Sequence, residues 1–133
     1  MTDAPDDRPP TPQPAADPAS IELAVLAAEA IDDKKGTDIA GIDVAELLQI
    51  TEVFVIATGT SRRQVQTLAE AVRERLRDDA ELRPLRSEGE EEGEWVLLDF
   101  GSVVVHLFQP DQRAFYDLER LWADAPRVPL GVA

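Results

Sequence analysis

The sequence predicts an α/β sandwich: a mixed sheet of about five strands with helices packed on it. Three observations lead there. Stretches with helical spacing are interspersed with short runs of strand-forming residues, the pattern of a sheet with helices against it. Val53 to Ala57 (VFVIA) is a nearly continuous apolar run followed by an amphipathic stretch, which marks a central strand covered on both faces. Trp95 to Phe100 (WVLLDF) and Val103 to Phe108 (VVVHLF) flank Gly101-Ser102, and two β-rich runs around a short Gly-containing connection read as an antiparallel hairpin.

Ser20 is the expected N-cap of the first helix, because Ile21, Ala24, Val25, Ala28 and Ile31 then recur at i, i+3 and i+4. Lys34, Lys35 and Gly36 end it, with positive charge at its C-terminus and a capping glycine after it. Ile39 to Val44 is a short strand, and Ala45 to Gln49 is turn-like. After the VFVIA strand, Thr58-Gly59-Thr60-Ser61 is the turn out, with Thr60 or Ser61 as N-cap. The second helix carries Val65, Leu68, Ala69, Val72 and Leu76 on one stripe, with Arg73, Arg75 and Arg77 off it. Leu82 to Glu88 is a weaker strand, and a crossover through residues 53–88 is expected to make a right-handed parallel pair. The acidic run Glu90 to Glu94 separates it from the hairpin. Pro110 then opens a last helix with Phe115, Leu118, Leu121 and Trp122 along one side.

Charge and composition narrow the function. The 133 residues hold 13 Lys and Arg against 27 Asp and Glu, a net charge of −14. So acidic a chain is a poor phosphate binder, which argues against direct nucleic-acid readout. It also lacks the basic stripe of a membrane-surface helix and any apolar run of membrane-spanning length, so a cytoplasmic protein is expected. The absence of Cys excludes disulfides and thiol catalysis, and a single His excludes clusters of imidazole ligands. Residues 1–19 contain six of the ten Pro and four Asp, and form a Pro/Asp-rich head expected to be disordered. Residues 20–128 are the expected folded domain, with a net charge of −11 from Ser20 onward, and 129–133 are a tail.

Several motifs carry possible chemistry. Gly59-Thr60-Ser61 reads either as a tight turn with its N-cap or as a helix N-terminus able to hold phosphate. It matches neither GxGxxG nor GxxxxGK[ST], and no Asp-x-Asp accompanies it. Asp99 and His106 face one another across the hairpin, or nearly so, either as a register-fixing pair or as an acid/base pair. Glu90 to Glu94 reads as a solvated loop or as an attractor of a basic partner. Trp95 shares a strand face with Leu97 and Asp99, since side chains alternate along a strand. An aromatic on an exposed sheet surface is a typical interface anchor, and the alternative is a place in the core.

Four stretches together resemble a known family, the ribosomal silencing factors (RsfS or Iojap). They are AIDDKKGTDI (30–39), TEVFVIATGTSRRQV (51–65), GEWVLLDFGSVVVHLF (93–108) and RAFYDLERLWADAPRV (113–128), in the family's order and spacing. The resemblance covers residues 21–128. It implies a nucleotidyltransferase-like mixed sandwich without the catalytic carboxylates, no enzymatic activity and no cofactor or metal. It implies a homodimer that binds large-subunit ribosomal protein fourteen and sterically blocks association of the large and small subunits, lowering translation in starvation. Strand alternation makes Trp95, Leu97 and Asp99 the expected partner contact, with Phe100 joining where the hairpin twists at its turn and His106 in support, and the helix around Tyr116 and Glu119 is the next candidate. Two positions depart from the family pattern: Glu52-Val53 where Asp-Tyr is usual, and Phe100-Gly101-Ser102 where Tyr-Gly-Asp is usual. A metal-dependent nucleotidyltransferase-like enzyme using the Gly59 turn is the competing reading. Calorimetry with magnesium and nucleoside triphosphates separates the two.

Overall fold

A computed structural model describes residues 15–132. Helix α1 (Pro18–Asp33) opens three residues earlier than expected, because Asp17 caps it and Pro18 stands at its first turn. The Asp17 carboxylate accepts from Ala19 N at 3.1 Å, and proline there forfeits only a donor that no helical carbonyl would take. Ser20, the expected cap, is buried within the helix and its hydroxyl donates to Glu52. The end of the Pro/Asp-rich head therefore belongs to the fold: Ala16 is buried and its N–H donates to Asp43. The rest of that expected disordered head, residues 1–14, lies outside the described residues.

Five strands follow in the sheet order β1-β2-β5-β4-β3. They are β1 (Thr37–Asp43), β2 (Val53–Thr58), β3 (Arg86–Glu88), β4 (Trp95–Asp99) and β5 (Val103–Phe108). The expected hairpin is β4 against β5, antiparallel. The expected crossover partner is corrected. The parallel neighbour of β2 is β5, whereas β3 sits at the far edge, antiparallel to β4. Burial explains the choice. All six residues of β5 are buried, so it takes the centre beside the equally buried β2. The polar, exposed Arg86-Ser87-Glu88 suits an edge. Pro84 has no N–H to give a ladder, so pairing begins at Leu85 N, which donates to Asp99 O at 2.7 Å.

Helix α2 (Arg62–Ala80) is capped by Ser61, whose hydroxyl accepts from Gln64 N. It buries the expected stripe of Val65, Leu68, Ala69, Val72 and Leu76. Together with the alanine-rich side of α1 it covers one sheet face, made by Val53, Val55, Ala57, Val96, Leu98, Val103, Val105 and Leu107. The single expected C-terminal helix is two: α3 (Pro110–Tyr116) and α4 (Leu118–Leu121), parted by Asp117 at φ 45°. The break turns Leu118 and Trp122 onto the second sheet face and leaves Phe115 and Leu121 in solvent. Val128 and Leu130 then pack into the helix-side core, so the tail from residue 129 is partly structural. Val128 N donates to Gly41 O. The approach is so close that a Cβ on Gly41 would stand 2.8 Å from Val128 O.

Candidate functional site

The second sheet face is covered only in part. Ile42, Phe54, Ile56, Val104 and Phe108 form its floor, roofed at one end by Leu118, Trp122 and Ala125. Away from that roof, β4 presents Trp95, Leu97 and Asp99 in alternation, each half-buried, while Val96 and Leu98 between them are buried beneath the helices. Phe100 is corrected here. The alternation that exposes Trp95 and Leu97 sends Phe100 the other way, and at 4% exposure it belongs to the helix-side core.

Trp95 is both anchored and accessible. Its indole stacks on Phe108 at 4.9 Å between ring centroids and meets Tyr116 at 4.5 Å. Its Nε1–H donates to His106 Nδ1 at 3.1 Å. An indole N–H can only donate, so His106 Nδ1 must be the bare nitrogen and the imidazole proton sits on Nε2. His106 is 5% exposed and lies edge-to-face with Phe54 at 4.8 Å. Burial lowers its pKa from 6.5 to about 4, so it is neutral at physiological pH.

Asp99 and His106 do not form the expected pair. His106 stands opposite Leu97, and Asp99 opposite Val104. The Asp99 carboxylate accepts from Gly101 N at 2.8 Å, stabilising the hairpin turn at φ +90°, and faces Arg86 at 3.6 Å. Tyr116 joins the site through Trp95. Glu119 is tied into the scaffold instead. Both of its oxygens accept from Arg113, at 2.9 and 3.1 Å, and Arg113 also donates to Thr58 and to the Asp38 carbonyl. The Arg113 hydrogen bond holds the Glu119 carboxyl below its usual range.

Two further features were not expected from the sequence. A cavity of about 310 Å³ lies beside the Leu97–Asp99 face, walled by β2, β5 and the segments around Ile50 and Leu85. Ile50 and Leu85 are 87% and 76% exposed at its mouth. The acidic run is no free loop: Glu90 pairs with Arg73, and its carbonyl accepts from Gln66. Loops 44–52 and 82–85 carry no periodicity, so no pattern in them could have signalled the cavity. At the Gly59 turn the chain serves its own donors, with Thr60 N on the Gln64 side chain and Gln64 N on Ser61.

Comparison with known proteins settles the family. Residues 17–132 match the model of the family described as "Ribosomal silencing factor during starvation". The chain belongs to the ribosomal silencing factors. It is 43% identical over 113 residues to the ribosomal silencing factor RsfS of Chromobacterium violaceum, covering 84% of this chain and 92% of that one. A crystal structure of a Chromobacterium violaceum protein superposes with a TM-score of 0.74 at 44% identity, over 77% of this chain and 84% of that chain. A mouse relative named "Mitochondrial assembly of ribosomal large subunit protein 1" is 34% identical over 90 residues, 64% of this chain and 38% of its own. In this silencing factor the two departures from the family pattern have structural roles. Glu52 accepts from Asp17 N and the Ser20 hydroxyl at the head of α1. Phe100 fills the helix-side core. Among the described residues no group of three or more His, Cys, Asp or Glu could hold a metal ion, and no helix is long and apolar enough to cross a membrane.

Proposed function

We propose that this ribosomal silencing factor binds large-subunit ribosomal protein fourteen through the open β4 face and so bars the small subunit from joining. Trp95, Leu97 and Asp99 form the contact, with His106 setting the indole from behind and Tyr116 flanking it. The observation that carries this reading is a half-exposed tryptophan fixed on three sides, by Phe108, Tyr116 and His106. An aromatic already ordered loses little entropy on binding, which is what an interface anchor requires. Acidity supports it: ribosomal proteins are basic, and a net charge of −14 steers encounter with a basic surface. The mouse relative's printed name also points to the large subunit. The action is steric rather than catalytic, and its place is the cytoplasm.

Sucrose gradients with purified subunits test it. A saturating dose should deplete the joined-ribosome peak, with the protein migrating with the large subunit. An unchanged yield of joined ribosomes would sink the proposal.

We further propose that the protein is a homodimer in solution. The exposed apolar surface of the C-terminal helices supports this, since Phe115 and Leu121 are 81% and 71% exposed. Light scattering at micromolar concentration should report about twice 14.6 kDa. A monomer mass that does not change with concentration would count against it.

A further inference from the structure

The cavity beside the β4 face is lined by two residues whose buried polar atoms the fold leaves alone. His106 Nε2 and Thr51 Oγ1 are buried, and neither has a hydrogen-bond partner. Both residues line the same cavity of about 310 Å³. A buried donor without an acceptor destabilises a fold, and native structures seldom keep one without a reason. The donor character of His106 is fixed, because Trp95 occupies Nδ1 and the proton sits on Nε2. Trp95, which occupies Nδ1, does not line the cavity, whereas His106 does. Leu48, Phe54, Leu97 and Val104 make the wall around these atoms apolar.

We propose that this cavity receives a side chain of the ribosomal partner: an uncharged residue with an aliphatic stem and an amide or hydroxyl oxygen, which accepts from His106 Nε2–H and from the Thr51 hydroxyl. This rests on the reading that the β4 face meets that partner. The surroundings favour a protein chain over a free small molecule. The volume is at the bottom of the range of about 300–1,000 Å³ for small-molecule sites. The mouth is rimmed by the exposed Ile50 and Leu85, and exposed apolar clusters mark macromolecular contact. The wall is continuous with Leu97 and Asp99 of the proposed interface. Charge narrows the occupant. A lysine or arginine head carries no acceptor for the His106 Nε2–H, which can only donate. A carboxylate would meet Asp99, and Arg86 is already set between Asp99 and Glu88. Both unpartnered atoms lie just under the wall, so the incoming side chain displaces a wall residue as it seats.

His106 is the chain's single histidine, so imidazole nitrogen–proton NMR of the full chain reads one residue without ambiguity. Isolated large-subunit ribosomal protein fourteen is the titrant. On binding, the Nε2 proton should become protected from solvent exchange and move downfield. Thr51→Val removes a hydroxyl that no internal bond uses, so it should leave thermal stability equal or higher and weaken binding about three- to tenfold. His106→Gln can place an amide nitrogen near the Nε2 position and should keep more affinity than His106→Asn, which cannot reach. A complex that forms with the His106 signal unmoved and with Thr51→Val binding like the parent overturns the inference while leaving the β4 interface standing. A signal that moves with protein concentration alone assigns the cavity to a second copy. A signal already shifted in the free chain, and lost on removing residues 1–14, assigns it to the chain's own head. Either result overturns the inference. Absence of any complex with the parent protein fails the β4 reading itself and the inference with it.

Discussion

Trp95→Ala should lower affinity for the large subunit at least thirtyfold while the far-UV circular dichroism spectrum stays native. The loss follows from the usual cost of truncating a central interface tryptophan, about 2 kcal/mol or more, which is a factor of roughly thirty in Kd. The fold should survive because Trp95 is half-exposed, and the core under β4 is built by Val96 and Leu98 on the opposite face. Some stability will be lost, since His106 Nδ1 loses its donor and Phe108 loses a stacking partner. Trp95→Phe separates the two contributions: it keeps a ring against Phe108 and removes the N–H. Subunit co-sedimentation across a dilution series measures both variants. If Trp95→Ala is folded and sediments like the parent, the contact lies elsewhere, with the surface around Tyr116 as the next candidate. If it unfolds, Trp95 is a core residue and the β4 face is misassigned.

Acid should destabilise the protein in a window set by one residue. The folded state holds His106 neutral down to about pH 4, while in the unfolded chain the imidazole takes up a proton below 6.5. The folded pKa is the lower one, so this contribution to stability is complete above pH 6.5 and is lost as pH falls toward 4. The loss across that window should be about 3 kcal/mol. Chemical denaturation at a series of pH values measures it. His106→Phe, which cannot titrate, should flatten the curve between pH 6.5 and 4 whatever its absolute stability. A parent curve that is already flat there would mean that His106 is solvated in the folded state. Below about pH 4.5 a second loss should begin, because Glu119 is held ionised by Arg113 and its contribution disappears as its carboxylate is protonated.

Local structure was legible in the sequence where side-chain alternation and capping decide it. The hairpin around Gly101-Ser102, the buried stripe of α2 and the Ser61 cap follow from rules that act over a few residues. The alternation of Trp95, Leu97 and Asp99 likewise defines the open face. Applied one residue further it also places Phe100 inside, so assigning Phe100 to the contact ran against the pattern itself. What the sequence concealed are choices between competing local signals and between distant partners. Asp17 and Ser20 are both good caps, and only Pro18 beside Asp17 decides between them. Asp117 is not a strong helix breaker, yet it adopts the left-handed conformation that splits the last helix and sends Trp122 back over Phe54. The neighbour of β2 is set by which later strand is apolar on both faces, and that competition is resolved only when the whole sheet forms. The cavity was concealed for the same reason, because its walls come from five separate stretches of chain.

The parallel pairing of β2 with β5 also governs how the chain emerges during its own synthesis. Val53 pairs with Val103, fifty residues later, and that pairing cannot begin until α2, β3 and β4 have all been made. At about 5–20 residues per second, β2 waits for several seconds with β1 on one side and a bare apolar edge on the other. Contacts so distant in sequence close slowly, and an uncovered edge invites pairing with another chain. The β4–β5 hairpin, local in sequence, can form as a unit and then dock against that edge in one step. A nascent chain stalled before Val103 has emerged should therefore be a client for chaperones, and that dependence should end once the finished chain, with Val128 and Leu130 in the core, is released.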